Sequence, residues 1–111
     1  MKRISAVVRP TMLEPLKALF QADVSGMTIS QVHGCGNQHG WSEYFRGNEV
    51  ILNMVPKIKF EIIADDARVD EIVEVIVSTT RTGEVGDGKI FVSDIERVVR
   101  IRTGEENDEA L

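Results

Sequence analysis

The sequence predicts an α+β fold of the ferredoxin-like type, in which two β-α-β units are separated by a long insertion. Apolar residues alternate along the strand segments and recur at helical spacing along two further segments. A polar stretch at about 36–54 separates the two units and is too long for a hairpin turn. The order β-α-β-β-α-β is the split βαβ arrangement, with an antiparallel sheet and both helices on one face.

The first unit consists of a strand, a helix and a second strand. The strand at 2–9 alternates apolar and other residues, and Pro10 ends the pairing because it has no N–H to donate. Apolar residues at helical spacing predict a helix over 12–22, with Pro15 near its start, where a missing N–H is tolerated. The segment 27–34 reads as the second strand.

The second unit repeats this order. Either Asp65 or Asp66 can cap the start of its helix. Apolar residues on both sides of the strands suggest that copies of the chain cover the sheet face that the helices leave open. The predicted segments are a strand at 55–64, a helix at 65–80, a strand at 89–93 and a short extended end at 98–102.

The bulk composition predicts one domain covering 1–111. The 111 residues are 42% hydrophobic and 28% charged, and the single cysteine, Cys35, excludes an intramolecular disulfide and suits the cytoplasm. The net charge is −5, but four of the 18 acidic residues lie in the last seven positions. The rest of the chain is therefore nearly neutral, which argues against direct nucleic-acid binding.

The clearest functional signal is a glycine-rich segment ahead of an apolar run. Gly83, Gly86, Asp87 and Gly88 directly precede Lys89. Such a backbone can turn its N–H groups toward an anion, and the lysine can neutralise it. Alone, an Asp-Gly turn more often makes a hairpin, and the spacing does not fit a Walker A loop.

Three arginines strengthen the prediction of an anion site. Arg81 lies beside the glycine-rich segment, and Arg100 and Arg102 stand two residues apart, so on a strand they point to one face. The alternative is a solvated face with salt bridges to Glu96 or Glu105, which contribute little stability.

Other residues have simpler interpretations. The aromatic residues of the insertion predict a mobile docking loop, although they could also pack onto the body. His33 is expected to be structural, Cys35 a small buried or half-buried filler, and Lys57 and Lys59 a solvated strand face. The sequence offers no clear nucleophile–base pair, so we do not expect an enzyme, although slow ATP hydrolysis remains open.

Several motifs in matching order resemble the PII signal-transduction proteins, which sense nitrogen status. The likeness covers nearly the whole chain and implies the ferredoxin-like trimer. The motifs are TGEVGDGKIFV at 82–92, RIRTGE at 100–105, the central YFRGNEV and VPK, and the opening MKRISAVVRP.

The resemblance implies a binding site for ATP or ADP between two subunits. A phosphate-binding loop at about 81–89 would hold the phosphates, the arginines would reach them from the neighbour, and a C-terminal loop would cover about 101–111. The implied nucleotide-binding residues are Val7, Thr28, Gly34, Cys35, Asn37, Gln38, Ile63, Gly86, Asp87, Gly88, Lys89, Arg100 and Arg102.

The second implied ligand is 2-oxoglutarate, bound through a magnesium ion that ATP also coordinates. Gln38 matches the side chain that ligates the metal, and Arg9, Lys57 and Gly40 match the residues that meet the ligand. Asn37 stands where the family often has a basic residue, and His39 and Trp41 replace the more usual Lys and His, so nucleotide preference and partner contacts stay open.

The resemblance also implies partners. These are an ammonium channel or enzymes and regulators of nitrogen assimilation, with the membrane reached only through a channel. Val50 stands at the position that is uridylylated in many members, and Asn48 at the position that is phosphorylated in others, so neither modification is expected. The alternatives are a PII-like or CutA-like trimeric module for another small molecule or metal, and a small phosphoryl-transfer enzyme.

Overall fold

The computed structural model describes residues 1–20, 24, 26–35, 41–45, 48–52 and 54–111, and within 41–52 only the backbone. Among the described residues, no helix is long and apolar enough to cross a membrane. The elements are β1 (Lys2–Val8), α1 (Leu13–Phe20), β2 (Thr28–Cys35), β3 (Trp41–Phe45), β4 (Asn48–Leu52), β5 (Met54–Ala64), α2 (Val69–Thr80) and β6 (Gly88–Asp94).

Four strands form one antiparallel sheet in the order β2-β5-β1-β6. In the central strand β1, Val8 pairs with Ile58 on one side and with Gly88 on the other. The two units of the sequence thus interleave, since β5 of the second unit lies between β1 and β2 of the first. This α+β topology confirms the ferredoxin-like prediction.

The core lies between this sheet and the two helices. The even-numbered positions from 4 to 8 in β1 and from 58 to 64 in β5 are buried, because alternate residues of a strand share a face. Leu16 of α1 and Ile72 of α2 are 0% and 1% exposed against them. The buried cluster comprises Ile4, Ala6, Val8, Leu16, Phe20, Ile58, Phe60, Ile62, Ala64, Ile72 and Ile76.

The face of the sheet that points away from the helices is mixed in character. The Lys59 ammonium lies 3.2 Å from the Glu61 carboxylate, and the Ser5 hydroxyl donates to the same carboxylate at 3.3 Å. Next to Ser5 across the sheet, Phe91 is 56% exposed. The coverage of this face by further copies of the chain stays a prediction.

The start of α2 differs from the prediction. A 3-10 turn at Asp66–Arg68 precedes the helix, and Asp65 makes no side-chain cap hydrogen bond. The Asp66 carboxylate instead accepts a 2.7 Å hydrogen bond from the Met1 amino group. The predicted cap is therefore wrong, because the carboxylate that could reach the helix start is held by the beginning of β1.

The insertion contains regular structure. Strands β3 and β4 pair as a separate two-stranded antiparallel sheet, with Trp41 opposite Leu52 and Phe45 opposite Asn48. The predicted packing or docking of its aromatic side chains concerns side chains outside the described part of the structure.

The predicted extended end at 98–102 is right only for its first residues, which pair with 105–107. Val99 makes an isolated bridge with Glu106, and residues 101–103 form a turn. Gly104 has φ +73°, a conformation that glycine adopts without steric cost, and it continues the reversal. The chain therefore folds back on itself where the sequence pattern predicted a strand. We call residues 97–107 the C-terminal turn.

Candidate anion-binding site

The segment 81–89, here called the glycine loop, connects α2 to β6. The helix ends at Thr80, and the backbone of Arg81 is extended. Three glycines of the loop, Gly83, Gly86 and Gly88, have φ values of +88°, +102° and +108°. Other residues adopt such values only at a cost, so the glycines determine the path of the loop.

Gly88 also allows a close approach between two strands. A Cβ atom built on Gly88 would lie 1.9 Å from the Val7 carbonyl oxygen. Gly88 pairs with Val8 at the end of the β1–β6 ladder, so the last residues of the loop lie directly against the central strand. A side chain at this position would push the loop away from the sheet.

The Asp87 carboxylate points back into its own loop. It accepts hydrogen bonds from the Thr82 N–H at 2.8 Å and the Gly83 N–H at 2.9 Å, and also from the Thr82 hydroxyl. These bonds, led by that of the Thr82 hydroxyl, lower the pKa of Asp87. Asp87 therefore organises the loop through its side chain.

Two cations hold the same loop from the side of the sheet. Arg9 Nη2 donates to the Val85 carbonyl at 2.8 Å, and Lys57 Nζ donates to the Gly86 carbonyl at 2.8 Å. Arg9 Nη2 also lies 3.4 Å from the Asp87 carboxylate. Positive charge is thus concentrated at the glycine loop.

Lys57 is buried, at 8% exposure, so the predicted solvated strand face is wrong for this lysine. Burial lowers the pKa of the Lys57 ammonium, and the neighbouring Arg9 lowers it further. A Cβ atom on Gly34 would lie 3.4 Å from Lys57 Cγ, so the glycine leaves room for the lysine stem. Lys59, the next residue on this face, fits the prediction better because it is paired with Glu61 near the surface.

A cavity of about 300 Å³ opens between α2 and the glycine loop. Its walls are apolar on the helix side and carry Arg81, Asp87 and Lys89 on the loop side. This arrangement can accept an anionic group beside an apolar one. The complete lining is Val8, Val73, Val77, Thr80, Arg81, Asp87, Gly88, Lys89 and Ile90.

Arg100 is engaged within the C-terminal turn. Its guanidinium lies 3.0 Å from the Glu105 carboxylate, its N–H donates to the Glu105 carbonyl at 2.9 Å, and its carbonyl accepts from the Gly104 N–H at 2.8 Å. Arg102 lies in the turn at 101–103, so the prediction that the two arginines share a strand face is wrong. Within the described chain, no hydrogen bond or ion pair joins either arginine to the glycine loop.

Three of the predicted nucleotide-binding residues, Val7, Thr28 and Ile63, lie on the outer face of the sheet. Thr28 and Ile63 line one cavity of about 320 Å³, together with Glu61, Val98 and the C-terminal Leu111. Val7 lies opposite Lys59 and Lys89 in the neighbouring strands and is not part of that lining. The structure thus brings two of the three residues to one cavity.

Several predicted residues lie outside the described part of the structure, namely Asn37, Gln38, His39 and Gly40. Gly34 and Cys35 end β2, and Cys35 is exposed in the single chain, so the half-buried interpretation of this cysteine is wrong. Asn48 and Val50 belong to β4. Among the described residues, no group of three His, Cys, Asp or Glu side chains could hold a metal ion.

Thr82 and Val85 carry parts of the site that the sequence pattern did not indicate. Thr82 supplies a hydroxyl and an N–H to Asp87, and Val85 supplies the carbonyl that receives Arg9. A threonine hydroxyl close in sequence to a turn aspartate is a signal that could have indicated the first contact. A carbonyl contact such as that of Val85 leaves no trace in residue type.

Comparison with known proteins matches this chain to one family over most of its length. The family model "Nitrogen regulatory protein P-II" matches residues 1–105. The chain is 49% identical to the nitrogen regulatory protein P-II of Nostoc punctiforme and 46% identical to that of Pasteurella multocida. It is also 46% identical to the nitrogen regulatory protein P-II 1 of Escherichia coli K12, and each comparison covers 100% of both chains. The fold, the glycine loop and this likeness together show that the chain belongs to the nitrogen regulatory protein P-II family.

Proposed function

We propose that this protein is a cytoplasmic nitrogen, carbon and energy sensor that binds ATP or ADP at the glycine loop. The observation that carries the proposal is the loop itself, in which three positive-φ glycines lie beside Arg9, Lys57 and Lys89. A turned backbone next to cations is the usual protein site for phosphate groups. Gly86, Asp87, Gly88 and Lys89 are the proposed phosphate-binding residues.

We assign the second effector, 2-oxoglutarate, to the cations behind the loop. Arg9 and Lys57 provide two positive charges close to each other, which suits a dicarboxylate. Magnesium held by Gln38, with Gly40 beside the ligand, would complete this site, since magnesium prefers oxygen ligands and keeps phosphate contacts. This assignment rests on the family likeness together with the position of the two cations.

The proposed active assembly is a homotrimer in which nucleotides bind between subunits. Support comes from the C-terminal turn, where Arg100 bonds to Glu105 rather than to the glycine loop of its own chain. A neighbouring subunit could bring Arg100 and Arg102 to the phosphates. Thr28 and Ile63, which share a cavity, are the proposed adenine contacts.

Signalling would pass through the insertion at about 36–54 to an ammonium channel or to enzymes and regulators of nitrogen assimilation. A ligand can bias a loop only by binding one of its conformations more tightly, so effector binding near the root of the insertion is a direct means of control. Val50 has no hydroxyl group to receive a nucleotide, and we propose control by ligands without uridylylation. Mass spectrometry of the peptide 42–57 from cells would contradict this if it carried a uridylyl group.

Calorimetry tests the proposed function. The titrations use ATP with magnesium, with and without 2-oxoglutarate, and ADP separately. We expect 2-oxoglutarate to bind tightly only when ATP and magnesium are present. Lys89→Met should weaken nucleotide binding, whereas the control Lys17→Met, which removes an exposed lysine of α1 paired with Glu14, should not.

The remaining outcomes separate the alternatives. Nucleotide binding without any effect of 2-oxoglutarate would indicate an energy sensor or a related module for another small molecule. Absence of nucleotide binding in the wild-type protein would overturn the proposal.

A further inference from the structure

Arg9 and Lys57 contact two consecutive carbonyl groups of the glycine loop. Arg9 bonds to the carbonyl of Val85 and Lys57 to that of Gly86, both at 2.8 Å. Both contacts form within the single chain. The cations therefore already have a structural task in the loop, separate from the recognition of a carboxylate.

The two contacts fix the orientation of two peptide planes. In a trans peptide unit, the carbonyl and the following N–H point in opposite directions. The Val85 carbonyl faces Arg9, so the N–H of Gly86 faces away from that cation. By the same geometry, the bond from Lys57 to the Gly86 carbonyl turns the N–H of Asp87 away from the sheet. Two successive N–H groups directed outward are what an anion requires.

The burial of Lys57 makes its contact hard to exchange for water. Lys57 is 8% exposed, and its stem passes beside Gly34. A buried ammonium needs a hydrogen-bond acceptor, and the Gly86 carbonyl provides one. Arg9 is fixed from a second direction, because its guanidinium lies 3.4 Å from the Asp87 carboxylate.

We propose that Arg9 and Lys57 are positioning residues of the glycine loop, which orient the Gly86 and Asp87 N–H groups toward a nucleotide phosphate before any effector binds. This inference rests on the proposed nucleotide site but makes a separate claim. The dicarboxylate and the loop share the same two cations. A carboxylate bound there would share the donors of these side chains with the loop carbonyls, and this sharing would link the two sites in addition to any metal.

A pair of lysine variants on one strand tests the inference. Lys57→Met removes the buried cation but keeps an apolar side chain of similar length, so the space beside Gly34 stays filled while the Gly86 carbonyl loses its donor. Lys59→Met makes the same change of charge two residues away on the same face, where the lysine pairs with Glu61 and not with the loop. The first readout is the 15N order parameters of the Gly86 and Asp87 amides in nucleotide-free protein.

In Lys57→Met we expect these order parameters to fall from about 0.85, typical of rigid backbone, to below about 0.6. Lys59→Met should leave them at the wild-type values. ADP binding without magnesium or 2-oxoglutarate is the second readout, and it should weaken about tenfold in Lys57→Met alone, because a binding loop would then have to be ordered by the ligand. Arg9→Gln should loosen the Gly86 amide in the same way and serves if Lys57→Met does not fold.

The two readouts distinguish failure of the positioning role from failure of the proposed nucleotide site. Wild-type order parameters in both Lys57→Met and Arg9→Gln would overturn the positioning role, even if ADP binding were weaker, since the lysine would then act through its charge alone. Absence of both ADP and ATP binding by the wild-type protein would reject the proposed function. The order parameters would still decide whether the two cations hold the loop.

Discussion

The glycine loop and the C-terminal turn both place cations beside acidic groups, but they hold them differently. In the glycine loop, the buried Lys57 and the half-buried Arg9 bond to backbone carbonyls, and Asp87 bonds to backbone N–H groups. In the C-terminal turn, the Arg100 and Glu105 side chains are 37% and 40% exposed and bond to each other. The cations of the first region are fixed by contacts to the main chain, whereas the arginines of the second are held by ion pairs open to water, although main-chain hydrogen bonds also shape that turn.

This difference indicates which of the two regions can hold a binding site in place before a ligand binds. A charged side chain bonded to the main chain within a packed region keeps its geometry, since no water can replace the contact cheaply. Exposed ion pairs contribute roughly 0–1 kcal/mol and yield easily to a stronger anion. The glycine loop is thus built in advance, whereas the arginines of the C-terminal turn can change partners.

Replacing one glycine of each region with alanine should give the largest difference in unfolding free energy between the two regions. Gly88→Ala combines a φ of +108° with a Cβ atom 1.9 Å from the Val7 carbonyl oxygen, so we expect a loss of at least about 3 kcal/mol of unfolding free energy. Gly104→Ala has φ +73° but no atom within 4 Å of the new Cβ, and should cost about 1 kcal/mol. Urea denaturation at one fixed protein concentration measures both values.

Equal losses in the two variants would contradict this contrast. They would mean that backbone strain alone decides the cost and that the approach of Gly88 to β1 relaxes freely. The glycine loop would then be less firmly fixed to the sheet than the contacts of Arg9 and Lys57 indicate.

The pH dependence of stability should differ between the regions by a smaller amount. The folded-state pKa of Asp87 lies below its ordinary value, so its carboxylate contributes stability that is complete above the unfolded-state value of about 3.9. That contribution declines as the pH falls below about 4 and through the folded-state pKa. The difference in urea midpoint between wild type and Asp87→Asn should therefore be constant near neutral pH and should shrink as the pH falls into the acid range.

Asp108→Asn is the matched control in the C-terminal segment, where Asp108 is an exposed residue of a short 3-10 turn. Its urea midpoint should follow that of the wild type at every pH. A wild-type to Asp87→Asn difference that stays unchanged down to about pH 3 would show that the carboxylate charge does not hold the loop.

The same comparison shows which features the sequence could predict. The strands and helices were predictable from apolar spacing. Alternating apolar residues in β1 and β5 indicate strands with one buried face, and helical spacing in α1 and α2 indicates helices with one buried face. The glycine loop was predictable in position, since three glycines near an aspartate mark a turn. Its internal bonds were not, because they depend on carbonyl groups that every residue carries.

Lys57 and Arg100 are two residues whose surroundings the sequence pattern predicted incorrectly. Alternation with Ile58 correctly places Lys57 on the outer face, but the glycine loop then covers that end of the strand and buries it. The alternate spacing of Arg100 and Arg102 suggests a strand, but the turn at 101–103 and the positive φ of Gly104 override it. In both cases contacts beyond the local pattern decide the outcome.

The smallest expected effect concerns the ion pair of the C-terminal turn, and it applies the comparison to ligand binding. If Arg100 must leave Glu105 to meet a phosphate, then Glu105→Gln removes a competing anion. We expect ATP to bind roughly two- to five-fold more tightly, which corresponds to less than about 1 kcal/mol for an exposed ion pair. The unfolding free energy should change by less than about 0.5 kcal/mol.

Glu106→Gln makes the same change of charge at the next residue, whose carboxylate pairs with Arg97 instead. It should leave ATP affinity at the wild-type value, which separates the specific contact from a general reduction of negative charge. Calorimetric titrations of the three proteins at low and moderate salt measure the effect, and added salt should shrink it, because exposed charges are screened. Weaker ATP binding by Glu105→Gln would reverse the interpretation, since Glu105 would then position Arg100 for the phosphate, and the C-terminal turn would be as preformed as the glycine loop.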